Sequence, residues 1–335
     1  MAQLGSGIIP SGAIGTELSY LTRRGFIYRL IVQLYNASPT YAAMLSGAQP
    51  ASGGVSPITV PVQGATYTTP QDVDYSGSFN APTVGQGAYN AEFNLCGTLT
   101  PIPFLGFEGL VQINEAVIRR LDAVMNDAKN GMVDFLASAW FANATNTLRP
   151  VGFFGAIDDG TNLSAYGGLN RTSYTWWQSK RYNSSTSTPT RNLMLQYVIG
   201  TIKNCGEKPS WGVMGPGTWN LLAQDFTSQE RYMVTGTESY ADNQFGARAA
   251  FQALMVAGVP IYLDAYTPEG TLWLHNDSYG AYYIHENVAF AFTGFQSLIP
   301  INQVGYQGAL LLLSQYVLTK PKSCTVVSPL AYTTL

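Results

Sequence analysis

The chain has 335 residues, 46% apolar but only 11% charged, with a net charge of −3 and a pI near 5.4. Soluble domains ordinarily carry about 25% charge, so Ser, Thr, Asn, Gln, Gly and Tyr cover much of this surface, groups that can be buried against a neighbour when hydrogen-bonded. The acidic balance argues against a protein whose main task is gripping phosphates, no apolar run approaches the ~18 residues of a membrane-spanning helix, and residues 1–15 lack the basic start and apolar stretch of a secretion signal.

Residues 1–54 read as an arm, Gly-rich at first and then carrying a helix over 17–35, with Ile27, Leu30, Ile31 and Leu34 on one stripe. Arg23, Arg24 and Arg29 are its basic cluster and read as ordinary surface charge.

Residues 55–105 form an extended hairpin. Ile58, Val60 and Val62 alternate with Thr59, Pro61 and Gln63, and the period of two returns at Tyr89, Ala91, Phe93 and Leu95. The Gly-, Pro-, Ser- and Asp-rich stretch between them is the tip. Pro57 and Pro61 suit edge positions. Two strands alone are marginal in water, so the apolar face needs a surface to lie on. The expected inter-subunit residues are Ile58, Val60, Val62, Tyr89, Phe93 and Leu95.

The spacing over 107–143 predicts a long amphipathic helix. Leu110, Ile113, Val117, Leu121, Val124, Met132, Phe135 and Trp140 form its packing stripe, and Glu115, Arg119, Asp122 and Lys129 lie off it. Residues 191–265 read as a compact α/β unit: a helix over 191–204 ended by Gly206, a strand over 211–214 and a helix over 218–226. The remainder is strand-rich. Pro268, Glu269 and Gly270 mark a hairpin turn, Val288, Phe290 and Phe292 alternate, and 309–318 is a nearly continuous apolar run.

Catalytic chemistry is thinly represented. The only histidines, His275 and His285, sit near Asp277 and Glu286 without a His-Glu-x-x-His pattern. Gly215-Pro-Gly217 lacks the Lys-Ser/Thr of a phosphate loop, and there is no nucleophile elbow. Cys96, Cys205 and Cys324 are scattered and odd in number, so they suggest reduced thiols rather than a disulfide framework. Arg171, Trp176 and Trp177 point to core packing and cation–π contact more than to base stacking.

The order arm, hairpin, long helix, compact α/β unit and terminal strands resembles the Hong Kong 97 fold of tailed-bacteriophage major capsid proteins. The local stretches that carry the resemblance are Gly168, Leu169, Asn170 and Arg171 with Trp177 following; the helix over 191–204 leading into 209–214; and 258–264 preceding 270–274. The resemblance implies an α+β fold with an N-terminal arm (1–54), an E-loop hairpin (55–105), a peripheral domain with its spine helix (106–189, helix 107–143), an axial domain (190–290) and peripheral return strands (291–335).

It also implies a non-enzymatic, cofactor-free subunit. Such a subunit self-assembles as hexamers and pentamers into an icosahedral virion head around double-stranded DNA, in the host cytoplasm and without a membrane. A portal, a scaffolding protein and a cement or decoration protein are the implied partners. Some relatives crosslink through an E-loop lysine, but no Lys or Arg occurs here between Arg29 and Arg119, so the hairpin is expected to hold without covalent bonds. The segment ahead of the hairpin is too short for a fused scaffold, which implies a separate or already removed one. An encapsulin-type nanocompartment shares the fold and is the first alternative. A metal-dependent hydrolase using His275, Asp277 and His285 is the second, and an outer-membrane barrel the third.

Overall fold

Strand and helix signals that agree over several turns survive folding, and the partners of each strand are then set by packing. In the computed structural model, the described residues are 38–51, 57–65, 71–73, 75–77, 87–105, 114–142, 148–227, 253–294, 296–297 and 305–334. They fall into two units. Among the described residues, the larger lies within Ala37–Thr98, Asp134–Ala291 and Leu312–Leu335, and the smaller within Leu99–Val133 and Phe292–Leu311. The helix expected over 17–35 lies outside the described residues, as do Leu110, Ile113 and most of the hairpin tip.

The larger unit begins with helix α1 (Pro39–Ser46), capped by the Ser38 hydroxyl accepting from Tyr41 N–H, and strand β1 (Gln49–Ala51). Strands β2 (Ile58–Gln63) and β3 (Ala88–Phe93) pair antiparallel with Ile58 opposite Phe93 and Val62 opposite Tyr89. Strand β4 (Cys96–Leu105) follows, and the long helix α2 is described over Asn114–Trp140. Its last residues belong to this unit, where Trp140 is 2% exposed. A short hairpin, β5 (Ala165–Tyr166) and β6 (Leu169–Asn170), turns through Gly167 (φ 60°) and Gly168 (φ 76°), a two-residue turn whose positive φ values favour glycine.

Six strands make the main sheet: β7 (Lys180–Tyr182), β8 (Trp211–Met214), β9 (Leu254–Val256), β10 (Val259–Leu263), β11 (Leu272–His275) and, from further along the chain, β16 (Thr325–Val327). Their order is β7-β16-β11-β8-β10-β9. β8 and β11 are buried at every residue, as apolar strands covered on both faces must be. Helices α3 (Arg191–Cys205) and α4 (Pro216–Thr227) pack on one face. Met194, Tyr197, Val198 and Leu222 close over Met214, Ile261, Leu272 and Val327 there. Gly206 ends α3 in the left-handed region (φ 80°), with its N–H on Ile202 O at 2.7 Å.

A second sheet lies in the same unit. β12 (Gly280–His285) pairs antiparallel with the Ser314–Leu318 end of the strand described below as β15, and parallel with β1. In the smaller unit, β13 (Ala291–Phe292) leads to β14 (Gln296–Ser297), which pairs with Tyr306 and Gln307 of β15 (Gly305–Leu318). Ile102 and Met132 are buried there, Val124 is half-buried, and Asn126, Lys129 and Asn130 are exposed.

Two expectations are corrected. Residues 268–270 do not turn a hairpin, because β10 and β11 both pair with β8 and not with each other. The alternation at Val288, Phe290 and Phe292 is mostly a turn, with a 3-10 segment over Glu286–Val288 and Phe290 at φ 51°. β7 and β16 complete the main sheet, while β12 joins β15. Alternation reports that one face is buried and carries no information about which strand lies alongside.

Asp264, fully buried, ties α1 to this frame. Its carboxylate accepts from Ser38 Oγ at 2.6 Å, Thr40 N at 3.3 Å and Tyr266 N at 3.0 Å. Burial raises its pKa against the pull of those hydrogen bonds. A carboxyl with a raised folded pKa binds its proton more readily in the native state, so stability falls as pH rises from the unfolded value through the folded one. Asp264→Asn should therefore flatten that fall. Melting temperatures of both proteins from about pH 4 to about pH 7 check it; parallel curves would mean the carboxyl titrates normally.

Candidate inter-subunit surface

The hairpin expected to meet a neighbour has one polar and one apolar face. Thr59, Pro61, Gln63, Ala88, Asn90 and Glu92 are exposed, while Ile58, Val60, Val62 and Tyr89 are half-buried and Ala91 and Phe93 buried. The apolar face rests on the chain's own residues 166–176. The Phe93 ring, 3% exposed, lies 4.9 Å from that of Tyr166, and Tyr89 lies 4.9 Å from Tyr174 and 5.2 Å from Trp176. Glu92 N–H donates to Gly167 O at 2.9 Å. A Cβ on Gly167 would come within 2.7 Å of Phe93, and one on Gly64 within 2.2 Å of Trp176 ring atoms.

Phe93 and Tyr89, expected to meet a neighbour, thus have ring contacts within the chain. Alternation showed a buried face and could not say whose surface buries it. What remains open is the polar outer face, half-buried Leu95 and the described part of the tip, where Val73 and Tyr75 are exposed.

The long helix meets its expected stripe unevenly. Val117 and Leu121 fall on helical backbone. Met132 is buried in the smaller unit, and Trp140 lies in the aromatic core of the larger. Phe135 is 41% exposed, with the Arg149 guanidinium 4.5 Å above its ring. The Asp134 carboxylate accepts from Tyr266 OH.

Two of the residues considered as metal ligands, His275 and Asp277, meet each other, but no third completes a group among the described residues. His275, completely buried, has Nδ1 3.1 Å from Asp277 Oδ1 and Nε2 2.7 Å from Tyr316 OH, and its ring stacks on Phe153 at 5.0 Å. Both ring nitrogens are thus engaged with protein groups. Burial works to raise the Asp277 carboxyl, but hydrogen bonds from His275 and Trp211 outweigh it and hold the pKa below the usual value. His285 Nδ1 accepts from Asn287 N–H at 3.2 Å. Among the described residues no group of three or more His, Cys, Asp or Glu side chains could hold a metal ion, and no helix is long and apolar enough to cross a membrane.

The signal that sequence reading left unused is on α3. Leu195, Ile199 and Ile202 lie opposite the buried side chains of that helix and remain exposed.

No protein-family model matches the chain, and no curated protein does. Solved structures do. The cyanophage A-1(L) capsid chain superposes with a TM-score of 0.67 at 12% identity, covering 92% of this chain and 96% of that one. The capsid chain of the native GTA particle gives 0.58 at 10% identity, covering 98% and 100%. The chain has the phage-capsid fold. The SrpI encapsulin of Synechococcus elongatus PCC 7942 carries the same fold, with a TM-score of 0.56 at 12% identity over 96% of this chain and 98% of that one. Because the likeness spans nearly the whole of each chain, the capsid fold here includes both units and not only the main sheet.

Proposed function

We propose that this chain is a structural subunit, not an enzyme, which assembles as hexamers and pentamers into the icosahedral head enclosing phage double-stranded DNA. The observation that carries this is the full-length likeness to the cyanophage A-1(L) capsid chain. The physical profile supports it: a surface poor in charge, and a hairpin that projects polar and apolar groups beyond the residues it rests on. In this reading residues 1–54 are the arm, 55–105 the E-loop and 107–143 the spine helix. The main sheet with α3 and α4 is the core of the axial domain, and it takes β7 and β16 from outside 190–290. A portal, a scaffolding protein and a cement or decoration protein would complete the particle.

Negative-stain microscopy of the overexpressed chain, alone and with its neighbouring genes, tests the reading. Closed shells, tubes or capsomer rings are the expected result, and a small monomer that never assembles would overturn it. The hairpin has no amine to offer, since no lysine lies between Arg29 and Arg119. Purified shells boiled in detergent should therefore run as a single band near 36 kDa; a ladder of multimers would show a crosslink supplied from elsewhere.

The encapsulin likeness keeps a second reading in view. Shells that co-purify with an enzyme cargo and no DNA would favour it over a phage head.

A further inference from the structure

Five of the chain's six lysines, Lys180, Lys203, Lys208, Lys320 and Lys322, gather at one end of the main sheet. Strand register puts them there. Lys180 opens β7 opposite Thr325, the first residue of β16, and Thr325 faces Leu274 of β11 on its other side. The next residue, His275, pairs with Trp211, the first residue of β8. Lys208 therefore stands just ahead of β8, and Lys320 and Lys322 just ahead of β16. Lys203 lies in the last turn of α3, where Asn204 Nδ2 donates to Lys322 O at 3.1 Å. The opposite end, where β8 stops at Met214 and β10 at Leu263, holds Asp264 and Glu269 and no lysine among the described residues.

The carboxylates near the lysine end already have partners. Glu207 accepts from Lys320 Nζ at 2.8 Å and from Tyr279 OH at 2.7 Å. Asp277 accepts from Trp211 Nε1 at 2.6 Å and meets His275 Nδ1. Asp158, in the segment leading to β7, lies against Arg171 and Arg181. Of the other four lysines, Lys180, Lys203 and Lys208 are exposed and Lys322 is half-buried. Lys208 Nζ donates to a neutral acceptor, Gly258 O at 3.0 Å, and Lys180 Nζ lies 5.4 Å from the Tyr182 ring. A helix C-terminus accounts for a cation at Lys203, but not for the lysines brought beside it from three other segments.

We infer that this lysine end is where the subunit touches the phosphodiester backbone of the packaged duplex. The inference rests on the phage-head reading above. A chain of net charge −3 repels a polyanion as a whole, so attraction must be confined to a patch where cations outnumber acids. Lysine also fits the task. Its ammonium is a point charge on a flexible stem, which meets a phosphate without the fixed geometry that an arginine fork imposes. Contacts of that kind hold the backbone and carry no sequence information, as suits a container for any sequence.

Two experiments test it. In the first, the unassembled full chain is titrated with a mixed-sequence duplex of about 20 base pairs over a range of salt. Changing Lys203, Lys208 and Lys322 together to glutamine should make the slope of log K against log salt shallower by about 2–3, since each lost phosphate contact removes about 0.9. The melting temperature should stay that of wild type, and equal slopes would overturn the inference. The second uses wild-type heads, so no variant has to fold. Acetylation of Lys180, Lys203, Lys208 and Lys322, read by mass spectrometry, should be slower in filled heads than in the same heads after their DNA is ejected. Equal rates in filled and emptied heads would overturn the inference. So would lysines that stay unreactive in both, since a protein would then be covering them. Particles that never contain DNA sink the phage-head reading itself, whereas DNA-filled heads with either of those outcomes sink only this contact.

Discussion

Replacing Arg171 with methionine should lower the unfolding free energy by about 3–5 kcal/mol, the usual consequence of removing one partner from a buried ion pair. The guanidinium has no solvent exposure. It donates to Gly155 O at 2.8 Å, Ala156 O at 2.6 Å and Leu163 O at 3.3 Å, and it lies 3.8 Å from the buried Asp158 carboxylate. Asp158 in turn accepts the amides of Gly160, Asn162 and Leu163 at 2.9–3.0 Å, which folds the loop between 158 and 163 around it. Methionine would fill most of the volume but leave carbonyls unsatisfied, and Arg181, 3.5 Å away and partly exposed, as the remaining cation at Asp158. Denaturant unfolding of the unassembled chain measures the loss. Lysine should recover only part of it, because an ammonium cannot reproduce the planar fork of donors. A midpoint within error of wild type would mean that the loop does not depend on the pair.

Trp140→Ala is expected to cost a similar amount, about 3–5 kcal/mol for a large aromatic truncated in a packed core. The ring touches Tyr41 at 5.6 Å, Phe153 at 5.7 Å, and Tyr282 and Tyr316 at 5.2 Å each, so its loss opens a cavity walled by four other aromatics. Those contacts join α1, the end of α2 and the β12–β15 pair. Trp140 Nε1 is buried without a hydrogen-bond partner among the described residues. Phenylalanine at this position removes that unpaired donor along with part of the ring, and should cost much less than alanine. Alanine and phenylalanine variants that melt together would contradict this account.

Local signals made some elements readable and left others dark. α3 was legible because its apolar period and its Gly206 stop agree. β8 was legible as a short apolar run between turn formers. The cluster around Arg171 and Trp177 was readable as packing, and both residues are buried. What failed was partnership. Pro268, Glu269 and Gly270 have hairpin composition, yet they connect two strands that flank a third; Glu269 instead accepts the amides of Gly217 and Thr218 at the start of α4. Tyr89 and Phe93 announced a buried face, and only packing revealed that residues 166–176 of the same chain bury it. Leu195, Ile199 and Ile202 show the converse: an apolar period that spans more than one face looks like a stronger core signal, when part of it is turned away from the core.

The place of β16 has a consequence for synthesis. Thr325–Val327 is inserted between β7 and β11, pairing with Lys180–Tyr182 on one side and with Leu272–Leu274 on the other. Leu330 N–H then bonds Gly270 O at 2.7 Å, and Thr333 N–H lies 3.4 Å from Gly217 O. β16 is laid on the edge of β11 and β7 on β16, so β7 waits, unpaired in this sheet, while the residues from 183 to 324 are made. Such distant pairing is slow and keeps strand edges exposed during translation. A ribosome-bound chain stopped short of residue 325 therefore lacks the strand that joins β7 to the rest of the sheet on which α3 is mounted. Partial chains would be poor at associating with one another until β16 is in place, so completion of the sheet comes before assembly.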